Sequence, residues 1–194
     1  MPAIFTPEHR DELHLRMVEA GWRALCAGGV RALRVEEIAR AAGIAKGTFY
    51  HFFPSKGAFI YAMLMENRQR AVDMLDEMHR QAERRLGRDA LRGWLERIWG
   101  SDRNIFRIAT AEEYAYLARG FPRGRSLDPA VDGKLVDWVV DEIADARAGV
   151  DRHAVQNLQK TLALVLLNRG ILHADALERT VAALIDATLD ELFG

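Results

Sequence analysis

The sequence predicts an all-α protein of about nine helices, a short three-helix unit at the N-terminus followed by a larger helical domain. Three observations carry this. No run of residues alternates with period two and β-branched enrichment, so strands are not expected. Apolar residues instead recur at the three- and four-residue spacing of one helix face. Glycine and proline punctuate the chain into helix-length blocks.

Taken in order, the first block spans about residues 8–27, with Leu13, Met17, Gly21, Trp22 and Leu25 on one stripe. Gly28 and Gly29 end it, since glycine tolerates the left-handed geometry of a helix stop. Val35 to Ala42 forms a second helix with Val35, Ile38, Ala39 and Ala42 inward. Gly43 turns the chain sharply, Ala45 to Phe53 makes a third, short helix, and Pro54 stops it. Ser55 is an N-cap for a long helix over about 56–85, whose surface alternates in charge and which Gly87 ends. Further helices are expected at about 88–99, 103–119, 129–147, 152–173 and 175–193, with 118–129, ARGFPRGRSLDP, as the clear loop.

The chain has 194 residues, 49% apolar and 28% charged, enough for one or two domains with a sizeable core. Its one cysteine, Cys26, excludes an internal disulfide and suggests a reducing, cytoplasmic setting. Cys26 sits in an apolar helical stretch and reads as a small buried hydrophobe. The opening MPAIFTPEHRDEL lacks the apolar run of a signal peptide, and LALVLL, 162–167, is too short to span a bilayer. Net charge is −1, unevenly spread. Residues 1–57 hold eight basic and six acidic groups, the remainder nineteen and twenty-two. A basic N-terminal face is therefore permitted.

Residues 43–59, GIAKGTFYHFFPSKGAF, concentrate four aromatic rings and a histidine between two lysines. A helix this short cannot stand alone, so it must pack on the helix before it, where Ala39 and Ala42 allow close approach. Helix, glycine turn, helix is the helix-turn-helix arrangement, whose second helix enters a DNA major groove. Phe49 and Phe53, four apart, should plug the core with Ile38 and Ile44. Lys46, Gly47, Thr48, Tyr50 and His51 occupy the other faces. Lys46 and Lys56 offer charge to phosphates, Gly47 lets backbone and DNA approach, and Tyr50 and His51 combine flat rings with hydrogen-bonding tips. The alternative for each is an ordinary solvated or core-edge residue.

VEEIARAAGIAKGTFYHFFPSKGAF resembles the DNA-binding signature of the tetracycline-repressor-type (TetR) transcriptional regulators, over about residues 13–60. The resemblance implies a homodimer with a three-helix DNA-binding domain, here 8–57 with the helix-turn-helix at about 34–53. It also implies a helical regulatory and dimerisation domain, 58–194, that binds an unknown small-molecule effector. The implied DNA contacts are Arg34, Lys46, Gly47, Thr48, Tyr50, His51 and Lys56. Arg34 and Ala45 replace hydroxyl residues common at those helix starts, and a lost cap costs about 1 kcal/mol. Phe52 stands where Tyr or His is frequent, and Gly57 where an acidic residue commonly follows the lysine.

For the effector, an apolar cavity with a few polar groups is expected. Trp94, Trp99, Phe106, Tyr114 and Trp138 are its candidate walls, with Thr110, Glu113, Asn104 and His173 as candidate polar groups; plain packing is the alternative for each aromatic. The helix over 152–173 is apolar nearly all round and requires cover on two sides. Pairing it and the last helix with their copies in a second subunit predicts an interface of Leu162, Val165, Leu166, Arg169, Val181, Leu184, Ile185 and Leu192. Arg169, beside Asn168, would set its register.

The reading is a DNA-binding regulator, a homodimeric repressor on a palindromic double-stranded operator, released by ligand and with no membrane partner. One alternative keeps the DNA-binding head but makes the C-terminal domain purely dimerising or protein-binding. A helical-bundle metalloenzyme is the distant alternative. Asp76-x-x-His79 with Glu112 and Glu113 is its best support, but a di-iron site needs two such Glu-x-x-His motifs. No catalytic residue, metal or cofactor is expected.

Overall fold

The computed structural model describes residues 6–82, 86–126 and 132–194. Ten α-helices follow one another: α1 Pro7–Gly28, α2 Val35–Ala42, α3 Lys46–Phe52, α4 Lys56–Gln81, α5 Arg88–Gly100, α6 Ile105–Ile108, α7 Ala111–Arg119, α8 Asp132–Glu142, α9 Arg152–Leu167 and α10 Leu177–Phe193. Apart from an isolated bridge between Leu86 and Ile143, no strand occurs among the described residues. The fold is all-α, as the periodicity implied.

Local signals place the helix ends. Thr6 accepts from the His9 N–H at the start of α1, with Pro7 at the first helical position. Gly43 ends α2 at φ 73°, and its N–H reaches back to the Ala39 and Arg40 carbonyls. Ala45 and Arg34 cap α3 and α2 without any side-chain hydrogen bond, as expected for residues that lack a hydroxyl. Ser55 accepts from Ala58 N–H at 3.0 Å and begins α4.

The expected block 103–119 is two helices. Extended backbone at Ala109 separates them, and Thr110 and Glu113 form a reciprocal capping box that starts α7. The block 152–173 ends at Leu167, where Asn168 turns its amide onto the Leu164 carbonyl and a 3₁₀ turn follows. Arg85, at the expected end of α4, and 129–131, at the expected start of α8, lie outside the described residues.

A continuous apolar core runs through the molecule. At the N-terminal end, α1, α2, α3 and the first turns of α4 bury Trp22, Ile38, Phe49, Phe53, Phe59 and Met63. Each such side chain contributes about 1.5–3 kcal/mol of burial. Farther on, α9 packs against α10, α6, α7 and α8, and α10 against α5. Two of the places where the ends meet matter most here. Gly57 at the start of α4 abuts Gly120 at the end of α7, so closely that a Cβ on Gly57 would lie 1.6 Å from the Gly120 carbonyl oxygen. Arg103, before α6, holds Glu19 of α1 through two hydrogen bonds of 2.8 and 2.6 Å.

Candidate nucleic-acid interface and buried cavity

Helix α3 has two unlike sides. Phe49 is fully buried and makes ring contacts with Phe53 and Phe59 at 5.5 and 5.2 Å. Ile44 packs at the same seam. On the solvent side, Lys46, Gly47 and His51 are exposed and Tyr50 is 44% exposed. Thr48 is half-buried. Tyr50 stands edge-on to Phe49, its centroid 5.4 Å away, so the core ring props the surface ring. A helix of seven residues is held out from the body by two phenylalanines.

Electrostatics modulate this surface. The Lys46 ammonium donates to Glu36 Oε1 at 2.5 Å, which holds its pKa above the ordinary lysine value and the Glu36 carboxyl below the ordinary glutamate value. Both groups are exposed, so the pair exchanges readily with solvent or with a phosphate. Lys56 is half-buried, and burial pushes its ammonium down from the usual value, against the attraction of Glu36. Arg34 is exposed and lies 3.8 Å from Glu37 of its own helix. Phe52 stacks with the Arg10 guanidinium, 4.9 Å from the ring centre.

In the C-terminal half a cavity of about 110 Å³ opens between α4, α5, α6 and α8. Trp94, Trp99, Phe106 and Asn104 line it, as do Leu64, Asn67, Arg68, Ala71, Val72, Ile98, Arg103, Ile105 and Leu135. The large aromatics are legible in the sequence, but the α4 contribution of Leu64, Asn67, Arg68, Ala71 and Val72 is not, because nothing in a mixed helical stretch marks which of its faces meets a cavity. A second cavity of about 60 Å³ shares Trp94, Ile98, Trp99 and Leu135.

Several expected residues are elsewhere. Thr110 and Glu113 are committed to the capping box of α7. Tyr114 packs on Phe106 at 5.4 Å but lines neither cavity. Trp138 stacks edge-on against His79 at 5.2 Å, outside both. His173 is exposed beyond α9. His79 itself is buried, with Nε2 3.2 Å from Glu142, while Asp76 pairs with Arg80.

The expected subunit interface needs revision too. Leu162, Leu166, Val181, Ile185 and Leu192 are buried within the single chain, because α9 and α10 cover each other. Arg169 also turns inward, its guanidinium donating to the Ile108, Ala109 and Leu166 carbonyls at 2.9, 2.7 and 2.9 Å. Carbonyl groups at helix ends carry partial negative charge, and that drew the arginine in. Val165 and Leu184 stay half-buried. The apolar groups left outside are Leu164, 59% exposed, Ile171, 86% exposed, and Leu172. Cys26, expected inside, is exposed and directs its thiol to the Asp102 carbonyl at 3.4 Å. Desolvation nonetheless raises its pKa above the usual thiol value.

Residues 17–63 match the family model described as bacterial regulatory proteins, tetR family. Solved structures with the same fold include a protein from work on the control of antibiotic production by a bacterial hormone. It is 16% identical, covers 98% of this chain and 100% of its own, and superposes with a TM-score of 0.64. A protein assigned to the TetR-family transcriptional regulators from Mesorhizobium loti is 16% identical, with 98% and 100% covered and a TM-score of 0.59. FadR from Bacillus subtilis, solved with stearoyl-CoA, is 13% identical, with 92% and 98% covered and a TM-score of 0.50. No curated protein matches the chain. The whole fold is shared with these solved structures, and the N-terminal segment carries the helix-turn-helix. Residues 17–63 are thus similar to the DNA-binding segment of that family. Among the described residues no helix is long and apolar enough to cross a membrane.

Proposed function

We infer that the protein is a homodimeric repressor that binds a near-palindromic DNA operator and releases it when a small molecule enters the C-terminal cavity. One observation carries the DNA-binding part: α3 presents Lys46, Gly47, Tyr50 and His51 outward while Phe49 anchors it from behind. Lys46 would leave Glu36 for a phosphate, with Lys56 and Arg34 adding charge near the two helix starts. Thr48 and Tyr50 reach base edges in the major groove.

A twofold dimer puts two such helices about 34–36 Å apart, one turn of DNA. Leu164 on α9, Ile171 and Leu172 after it, and the half-buried Leu184 on α10 supply an apolar surface for the second copy. The domain division is 8–57 and 58–194, with the first turns of α4 serving both. A ligand between α4 and the 101–104 segment would act on the head by two routes, through α4 itself and through the Arg103–Glu19 clamp. Coupling of about 1–3 kcal/mol suffices for release. That the Bacillus subtilis protein was solved with stearoyl-CoA supports a ligand role for this fold.

Selection of bound fragments from genomic DNA tests the reading, with an enriched, near-palindromic sequence as the expected result. Lys46→Ala should weaken binding to operator and random DNA alike and reduce the salt slope by about one. A wild-type protein indifferent to duplex DNA at low salt would defeat the proposal. A purely dimerising C-terminal half predicts instead that no compound raises the melting temperature in a thermal-shift screen.

A further inference from the structure

The cavity between α4, α5, α6 and α8 has strongly apolar walls, among them Leu64, Ala71, Trp94, Trp99 and Phe106. At about 110 Å³ it is smaller than the roughly 150 Å³ space that holds one benzene ring in an engineered protein core. It is open on one side, so it suits a short alkyl chain or a ring that is only partly enclosed.

The polar groups around it are nearly all committed. Trp94 Nε1 donates to the Ala71 carbonyl at 2.8 Å and Trp99 Nε1 to Gln159 Oε1 at 2.9 Å. Asn104 donates to the Ile98 carbonyl and accepts from the Phe106 N–H. Arg103 spends its guanidinium on Glu19. Arg68 is different. It is half-buried on α4, lines the cavity, and has no carboxylate, carbonyl or ring partner among the described residues. A half-buried arginine without a partner among the described residues is open to pairing with an added anion. Asn67, one residue away, donates its amide to the Arg103 carbonyl and keeps its Oδ1 as a spare acceptor.

We propose that the cavity binds a compact, apolar carboxylic acid, its ring or chain between Trp94, Trp99 and Phe106 and its carboxylate paired with Arg68. This rests on the reading of the cavity as the effector site and names the class of effector. The guanidinium fork matches a carboxylate in two parallel hydrogen bonds, about twice as strong as neutral ones. An amide of the same shape loses the charge and one acceptor. The acid also arrives next to Asn67, whose hydrogen bond to the Arg103 backbone leads to the Glu19 clamp on α1.

The test titrates the full-length protein with phenylacetate, hexanoate, phenylacetamide and hexanamide, following tryptophan emission, since Trp94 and Trp99 line the cavity. Expected is at least tenfold tighter binding of each acid than of its amide. Arg68→Gln should bring acid and amide to parity, and Arg68→Lys should keep part of the preference. Equal binding of acid and amide by the wild type, or a preference that survives Arg68→Gln, overturns the effector class and leaves the effector site standing. Silence of all four probes overturns the inference; neutral compounds that then raise the melting temperature and release DNA keep the site, and their failure removes it as well.

Discussion

In the head, the seven-residue α3 sets buried Phe49 beside exposed Tyr50, while in the bundle the sixteen-residue α9 sets buried Leu162 two residues before exposed Leu164. The first contrast uses different chemistry for the two faces, an all-carbon ring inside and a hydroxyl-bearing ring outside. The second uses one amino acid for both. A face meant for nucleic acid needs charge and hydrogen bonds, and its side chains declare themselves. A face that meets a second protein copy is made of the same aliphatic groups as the core behind it. The comparisons with known proteins divide along the same line: the family model stops at residue 63, yet the fold extends over nearly the whole chain. Apolar cores tolerate exchange of side chains as long as volume and pattern persist.

One substitution made at two neighbouring sites separates the two kinds of leucine. Leu162→Glu puts an unpaired charge into the monomer core, and the protein should fail to fold or melt far below the wild type. Leu164→Glu should leave the helical content intact and convert dimers to monomers, with operator affinity down about a hundredfold as each half-site binds alone. Light scattering after size exclusion decides it. An L164E protein that stays dimeric would remove this face from the interface.

Next in size is the junction of the two regions. Gly57→Ala forces α4 from the Gly120 carbonyl. Backbone shifts of this kind cost about 1–3 kcal/mol, or roughly 3–10 °C in melting temperature for a chain of this length. An unchanged melting curve would mean that the contact relaxes freely.

The Glu19–Arg103 clamp responds to pH. Its hydrogen bonds to Arg103 hold the Glu19 carboxyl below its ordinary 4.5, against a smaller opposing desolvation. A depressed folded-state value means stabilisation that is present above pH 4.5 and lost as the pH falls through the folded value. Glu19 is partly exposed, so the contribution is about 1 kcal/mol at most. Glu19→Gln should therefore melt about 2–4 °C below the wild type at pH 7, and the gap should close below pH 4.5. A constant gap would show that packing, not charge, matters there.

The smallest effect concerns Glu36. Glu36→Gln frees Lys46 and removes a negative charge from the side proposed to face DNA, so operator affinity at low salt should rise about two- to fivefold. A fall in affinity would mean that Glu36 positions Lys46 instead of competing for it.

Gly43 at φ 73°, the stop at Pro54 and the cap at Ser55 are local signals, written within a few residues of the structure they produce. So were the inward Phe49 and Phe53 and the outward Lys46 and Tyr50, because period and polarity agreed. The break at Ala109 and Thr110 was also local, a Thr-x-x-Glu capping box overlooked inside an apolar stretch. Arg169 and Arg68 were not legible. Both are arginines in the C-terminal part of the chain, yet one folds onto three carbonyls and the other lines a cavity; two of the Arg169 carbonyls come from about 60 residues away, and the neighbours of Arg68 come from three other helices.

By itself, then, the sequence determined where each helix starts and stops in the head, and which of its faces meets water, since hydrogen bonds at helix ends and a 3.6-residue period act over a few positions. The tertiary structure alone decided which leucines of α9 and α10 are interior, where the cavity opens, and which arginine is left beside it. Those outcomes depend on how distant surfaces fill space together, and a leucine carries the same free energy of burial whichever neighbour covers it.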